Sequence, residues 1–110
     1  MAHVVVTDAA SFDQAGILTD LHDKAGITTV VKFRLLFKEL YDLLARHPEI
    51  GALRPALGAG IRIGIVPPYV VFYRYDRGGD IVRILRLLHG RRRVTRASLT
   101  GRDPAPKDNP

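Results

Sequence analysis

The chain has 110 residues, 46% of them hydrophobic and 25% charged, the proportions of one soluble globular domain with a core of its own. It has no cysteine, which excludes disulfide scaffolds, zinc–thiolate sites and thiol nucleophiles. Seventeen Lys and Arg against eleven Asp and Glu leave a net charge of +6, and that charge is polarised: Arg83, Arg86, Arg91, Arg92, Arg93, Arg96 and Arg102 crowd residues 81–102 without one acid, a pole that attracts an anionic partner.

Val4–Thr7 is a β-branched run and predicts a strand. The period then changes to helical. Ser11-Phe12-Asp13-Gln14 fits a capping box, with Asp8 as an alternative cap one turn earlier; Ala15, Leu18 and Leu21 follow on one face, and Gly26 marks the stop. A second helix starts near Thr28 or Thr29 and runs to His47, where Pro48 forces an exit. Phe33, Leu36, Phe37, Leu40, Tyr41, Leu43 and Leu44 fall on its buried side, while Arg34, Lys38, Asp42 and Arg46 form a charged ladder opposite. Val31 and Leu35 sit among those charges as candidate partner contacts. Residues 48–60, punctuated by proline and glycine, read as a loop. Three strands follow: Ile61–Val66, then Tyr69–Tyr75 after Pro67-Pro68, then Ile81–Leu88 after a turn at Asp76–Asp80 whose glycines supply positive φ. The near-continuous apolarity of Ile81–Leu88 predicts a strand buried on both faces at the sheet's centre. Residues 1–99 are expected to form the domain and residues 100–110 a disordered tail.

The order β-α-α-β-β-β is an α+β layout in which two helices cover one sheet face. The other face, apolar and basic, is expected to stay open as a binding surface. Catalytic groups are few. His3, His22, His47 and His89 share no metal-ligand spacing, Ser11 and Ser98 sit in no nucleophile elbow, and Gly58-Ala59-Gly60 lacks the third glycine and following helix of a dinucleotide fingerprint. No metal or cofactor is expected. Arginines at 54, 62, 74, 83 and 86 are suited to holding phosphate, and His89 to moving a proton near neutral pH. Arg62, Arg83 and His89 are therefore the candidate set for metal-free RNA cleavage. With no apolar run long enough to span a membrane and no leader-like start, a cytoplasmic protein is the default expectation.

Two stretches carry a family resemblance. One is Leu43-Leu44-Ala45-Arg46-His47-Pro48-Glu49-Ile50-Gly51 with Arg54; the other is Tyr69-Val70-Val71-Phe72-Tyr73 with Asp80-Ile81-Val82-Arg83-Ile84-Leu85-Arg86-Leu87-Leu88-His89-Gly90-Arg91-Arg92. Together with the element order, residues 3–95 resemble the ParE branch of the RelE/ParE toxins of bacterial type II toxin–antitoxin systems. The resemblance implies a helical hairpin on a mainly antiparallel sheet. It also implies a ParD-like antitoxin whose C-terminal segment wraps the toxin, with contacts expected at Val31, Leu35, Arg74, Leu85 and Leu87. ParE-like members inhibit DNA gyrase by binding it, and target contact is expected at Arg86, His89, Arg91, Arg92 and Arg93. RelE-like members are instead ribosome-dependent mRNA endonucleases, many with a basic cluster and a tyrosine near the C-terminus; no tyrosine follows Tyr75 here. A non-toxic member acting only in an autorepressing complex is the third alternative. Direct nucleic-acid binding is not expected on the ParE reading.

Overall fold

The computed structural model describes residues 1–92 and 94–100. Its first strand, β1 (His3–Val6), leads through Thr7 into helix α1 (Asp8–Ala25) and then α2 (Ile27–Arg46). The rest of the sheet is β2 (Ala52–Leu53), β3 (Ile61–Val66), β4 (Tyr69–Asp76) and β5 (Ile81–His89), and a short helix α3 (Arg96–Thr100) follows. The sheet order is β1-β5-β4-β3-β2, antiparallel except for the parallel β1–β5 pair. This is the α+β arrangement of a helical hairpin on a mainly antiparallel sheet.

Helix α1 begins earlier than its capping-box pattern predicts. Thr7, not Ser11 or Asp8, is the N-cap: its hydroxyl accepts from Ala10 N and donates to Ile84 O. One side chain therefore starts the helix and ties it to the sheet. Gln14 is freed from any capping role, and its Oε1 accepts from Tyr41 on α2 at 2.7 Å. Gly26, at φ 84°, is the entire link between the helices; a side chain is strained there, and α2 starts at Ile27 rather than at Thr28 or Thr29.

The main core lies between the hairpin and the sheet. Phe37 and Leu44 from α2 and Ala10 from α1 meet Val71, Tyr73, Val82, Ile84 and Leu87, all fully buried or nearly so. Phe33 packs edge-on against Tyr69 at 5.7 Å, and the other end of that contact row is Tyr69 on His89 at 5.8 Å.

Three further features depart from the sequence expectation. Residues 48–60 are not all loop: they hold β2 and a 3-10 turn at Pro55–Leu57. The central strand is β4, because β5 has a neighbour on its outer side only along Ile81–Ile84. In the β4–β5 turn the left-handed residue is Asp80, at φ 52°, while Asp76 Oδ1 accepts from the amides of Gly78 and Gly79.

The sheet's second face is also not open. Ile61, Phe72, Leu88 and Leu99 form a second buried cluster, flanked by Leu57, Ile63, Val70, Leu85 and Val94. The 3-10 turn and α3 are thus a partial lid over the face expected to be free. The expected disordered tail lies, beyond Thr100, outside the described residues.

Burial holds the Tyr41 phenol well above its ordinary pKa of 10.0, because ionising it would place charge in the hairpin interface. The folded state therefore keeps this proton while the unfolded chain loses it above about pH 10, and stability falls as pH rises past that point. Replacing Tyr41 by Phe is expected to cost about 1 kcal/mol near neutrality, through the lost bond to Gln14, and to flatten the alkaline fall in stability. Chemical denaturation from pH 7 to 11 measures both effects.

Candidate functional site

Strand β5 carries most of the chain's candidate residues, and a β-bulge decides where they point. Phe72 is opposite Arg86 while Tyr73 is opposite Ile84, so Leu85 is an extra residue. Before the bulge Val82 and Ile84 face the helices; after it Leu87 does. Leu85 and Leu87, two apart, accordingly lie on opposite faces. Leu87 is 1% exposed in the helix-side core and cannot form the expected antitoxin contact, whereas Leu85 is half-buried on the second face.

Arg86 is likewise not a surface contact. It is 8% exposed, with Nε donating to Asp13 Oδ2 at 2.6 Å, Nη2 to Asp13 Oδ1 at 3.0 Å and Nη1 to the Ser98 carbonyl at 2.8 Å. Asp13 Oδ2 also accepts from Leu87 N at 3.0 Å, on the stretch of β5 that has no β1 neighbour. The carboxylate thus serves as a substitute edge strand and as counter-ion to a bidentate guanidinium. Arg86 joins α1, β5 and α3; its role is positional.

The basic turn after β5 is built, not frayed. Gly90 N donates to Pro68 O at 2.8 Å, Arg91 N to His89 Nδ1 at 3.0 Å, and Arg92 N to His89 O at 2.9 Å. His89 and Arg91 are exposed and Arg92 is half-buried. Arg93 lies outside the described residues.

The nuclease set does not converge. Arg83 and His89 sit six residues apart on one strand, about 20 Å at roughly 3.3 Å per residue. Arg83 is near Asp76, 3.8 Å away. Arg62 pins the 47–51 loop: its Nη1 donates to the carbonyls of Glu49 and Gly51, both at 2.8 Å. Tyr73 Oη accepts from Gly51 N at 2.9 Å in the same loop. Burial raises the Tyr73 pKa, partly opposed by the Gly51 amide and the Arg62 charge. Arg74 is exposed on the second face, its Nε donating to Ala59 O at 3.1 Å.

Val31 and Leu35 are 51% and 54% exposed, and Ile27, at 62%, extends them into a stripe at i, i+4 and i+8 on α2. Sequence reasoning missed Ile27, although that spacing was visible. It also missed Asp13 and Ser98; for the latter the cue was Thr95 followed three residues later by Ser98, whose amide donates to Thr95 Oγ1 in a helix cap.

Comparison with known proteins decides the family. The model of the ParE toxin of type II toxin–antitoxin systems (parDE) matches residues 4–94. The chain belongs to the ParE toxin family. Toxin ParE3 of Caulobacter vibrioides is 31% identical over 91 residues, covering 83% of this chain and 89% of that protein. Among solved structures, the chromosomal ParDE toxin–antitoxin system from P. aeruginosa superposes with TM-score 0.68 at 23% identity, over 81% of this chain and 96% of the other. The RelBE2 toxin–antitoxin complex from Mycobacterium tuberculosis gives 0.53 at 29%, over 80% and 96%. The ParE-family match takes in every element from β1 to β5 and the basic turn, but not α3.

Replacing Arg86 by Ala leaves the Asp13 carboxylate buried beside β5 without its counter-ion. A loss of about 3–5 kcal/mol is expected, with Arg86→Lys rescuing little because one ammonium cannot span Asp13 and Ser98 O together. Urea denaturation of both variants and of Asp13→Asn/Arg86→Leu tests this; the double variant should lose less than Arg86→Ala.

Proposed function

We propose that this ParE-family chain is a non-enzymatic toxin that inhibits DNA gyrase by binding it and is neutralised by a ParD-like antitoxin. The observation that carries the reading is the family match over residues 4–94. The separation of Arg83 from His89, about 20 Å along β5 at roughly 3.3 Å per residue, and the commitment of Arg62 to two loop carbonyls support binding over RNA cleavage.

Two surfaces divide the work. The Ile27–Val31–Leu35 stripe lies beside Arg34 and Lys38 on α2. An amphipathic antitoxin helix with acids on its flanks fits it, burying the three apolar side chains while its carboxylates meet the cations. Arg74 and the half-buried Leu85 are further contacts for the same segment. The second surface is the turn at His89, Arg91 and Arg92, with Arg93 next in the sequence. Because Pro68 and His89 hold its backbone, its guanidinium groups lose less freedom on docking to an acidic site on the target. The RelBE2 complex and the ParDE system support an antitoxin-bound form of this chain as well.

Changing Arg91, Arg92 and Arg93 together to Ala is expected to relieve growth arrest and restore supercoiling by purified gyrase, with antitoxin affinity within about threefold of the wild type. Val31→Glu/Leu35→Glu is expected to weaken antitoxin binding by at least about 2 kcal/mol while gyrase inhibition persists. Unchanged toxicity in the triple variant refutes the target assignment. Cleaved mRNA with normal gyrase activity points instead to the interferase alternative.

A further inference from the structure

The second face is covered only in part, and at the end of the sheet nearest the β4–β5 turn it carries two arginines side by side. Arg74 on β4 and Arg83 on β5 are register partners. Side chains directly opposite each other on antiparallel strands leave from Cβ atoms roughly 5 Å apart on one face, and like charges so placed are destabilising. That face is the second one, because Ile61, which pairs with Arg74 from β3, belongs to its buried cluster. Both arginines are exposed. Among the described residues Arg74 has no carboxylate partner. Its Nε donates to Ala59 O, and the Gly58-Ala59-Gly60 loop runs so close that a Cβ on Gly58 lies 3.6 Å from Nη2. The loop thus holds this guanidinium by one donor and leaves the Nη donors unspent. Arg83 has Asp76 alone among the described residues, with Oδ2 at 3.8 Å from Nη1, while Asp76 Oδ1 accepts from the Gly78 and Gly79 amides.

We propose that Arg74 and Arg83 form a clamp for one carboxylate of a partner protein, a Glu or Asp side chain of the antitoxin segment that, on the function proposed above, already meets Arg74 and Leu85. The carboxylate accepts from an Nη of each arginine and relieves the repulsion between them. Apolar side chains flank the clamp. Val4 and Val6 pack into the helix-side core, so Val5 between them, the register partner of Arg83, faces the second side and is half-buried. Leu85 is half-buried on the same face. An apolar residue next to the acid in the partner's sequence rests on these two.

Charge and lining select the ligand. Two guanidinium groups and the Asp76 carboxylate leave one positive charge unmatched, which a single carboxylate neutralises. A phosphate monoester, at about −1.5 to −2 near pH 7, overshoots that balance beside Asp76. A nucleic-acid strand, charged at every step, gains nothing from Val5 and Leu85, whereas an acidic peptide with an apolar neighbour uses both the charge and the lining. The clamp also gives the Gly58-Ala59-Gly60 loop a function: it brings a backbone carbonyl to Arg74 Nε and sets no side chain over the guanidinium.

The test has two arms. The full chain is titrated with millimolar acetyl-Leu-Glu-Leu-amide, with its Gln counterpart and with inorganic phosphate, while the side-chain Nε–Hε NMR signals of Arg74 and Arg83 are followed. Separately, the affinity of a ParD-like antitoxin encoded beside this chain is measured for the wild type and for Arg83→Gln. Both arginine signals are expected to move with the Glu peptide and far less with the Gln peptide or phosphate. Arg83→Gln is expected to weaken antitoxin binding about threefold to tenfold. The thermal midpoint of the free variant should equal or exceed that of the wild type, because a like charge is gone; an arginine with a merely structural role would lower the midpoint and leave binding intact. Antitoxin binding unchanged in Arg83→Gln, equal responses to the Glu and Gln peptides, or a stronger response to phosphate each overturns the clamp and leaves the function proposed above standing. If no antitoxin binds the wild type, it is that function that fails. In that case, or if Arg83→Gln does not fold, the peptide titration of the wild type decides the clamp alone.

Discussion

A carboxylate and a guanidinium largely withdrawn from water are costly unless they are paired and hydrogen-bonded, and the Asp13–Arg86 pair is both, at the point where the sheet most needs it. Past Ile84, β5 runs on without β1 beside it. Asp13 covers that gap by accepting from Leu87 N, and Arg86, fixed by Asp13, reaches on to Ser98 O. Three elements distant in sequence are thereby held at one point: the first turns of α1, the second half of β5 and the C-terminal helix. The apolar contacts of Leu99 and Val94 with Phe72 and Leu88 follow from that anchoring, since five helical residues bury too little area to dock alone.

With the second face partly covered, the exposed stripe on α2 becomes the other large apolar surface. Ile27, Val31 and Leu35 on α2 are each more than half exposed, and they sit on the solvent side of the hairpin, away from the lid. On the function proposed above, an antitoxin segment meets a helix face there in place of bare sheet.

The helical hairpin and the three main strands were legible because their periods are long and uninterrupted: Phe33, Phe37, Leu40 and Leu44 keep helical spacing, and Ile61, Ile63 and Ile65 alternate. What escaped was decided by contacts far apart in sequence. Thr7 outcompetes Ser11 as cap because it also bonds Ile84 O, 77 positions away. Leu87 could not be placed without knowing that Leu85 bulges, a register shift that no local pattern announces. Arg86 reads as part of a basic surface when counted with its neighbours; only the fold brings Asp13 to it. The basic turn itself was visible in sequence, but its rigidity depends on Pro68 O and His89 Nδ1, which the strand pairing delivers.

The chain superposes on both the ParDE and the RelBE2 structures, so the backbone alone does not fix what it does, and that falls to side chains. Here the side chains with acid–base or phosphate-binding capacity are distributed by structural demands. Arg62 is spent on two loop carbonyls, Arg86 on Asp13 and Ser98, and Arg77 on Glu49, whose carboxylate also lies 3.8 Å from Arg62. Gly51 has to be glycine for that loop to close, since a Cβ there runs into Ile63 O and the Tyr73 hydroxyl. Arginines committed to holding loops and termini cannot also rearrange around a pentacoordinate phosphate without releasing those elements. Exposed Arg91, by contrast, is held among the described residues by its backbone bond alone, and the half-buried Arg92 beside it shares the same pinned turn. At the strand end, unlike at Arg62, Arg77 and Arg86, exposed charge therefore sits on a backbone that is already fixed.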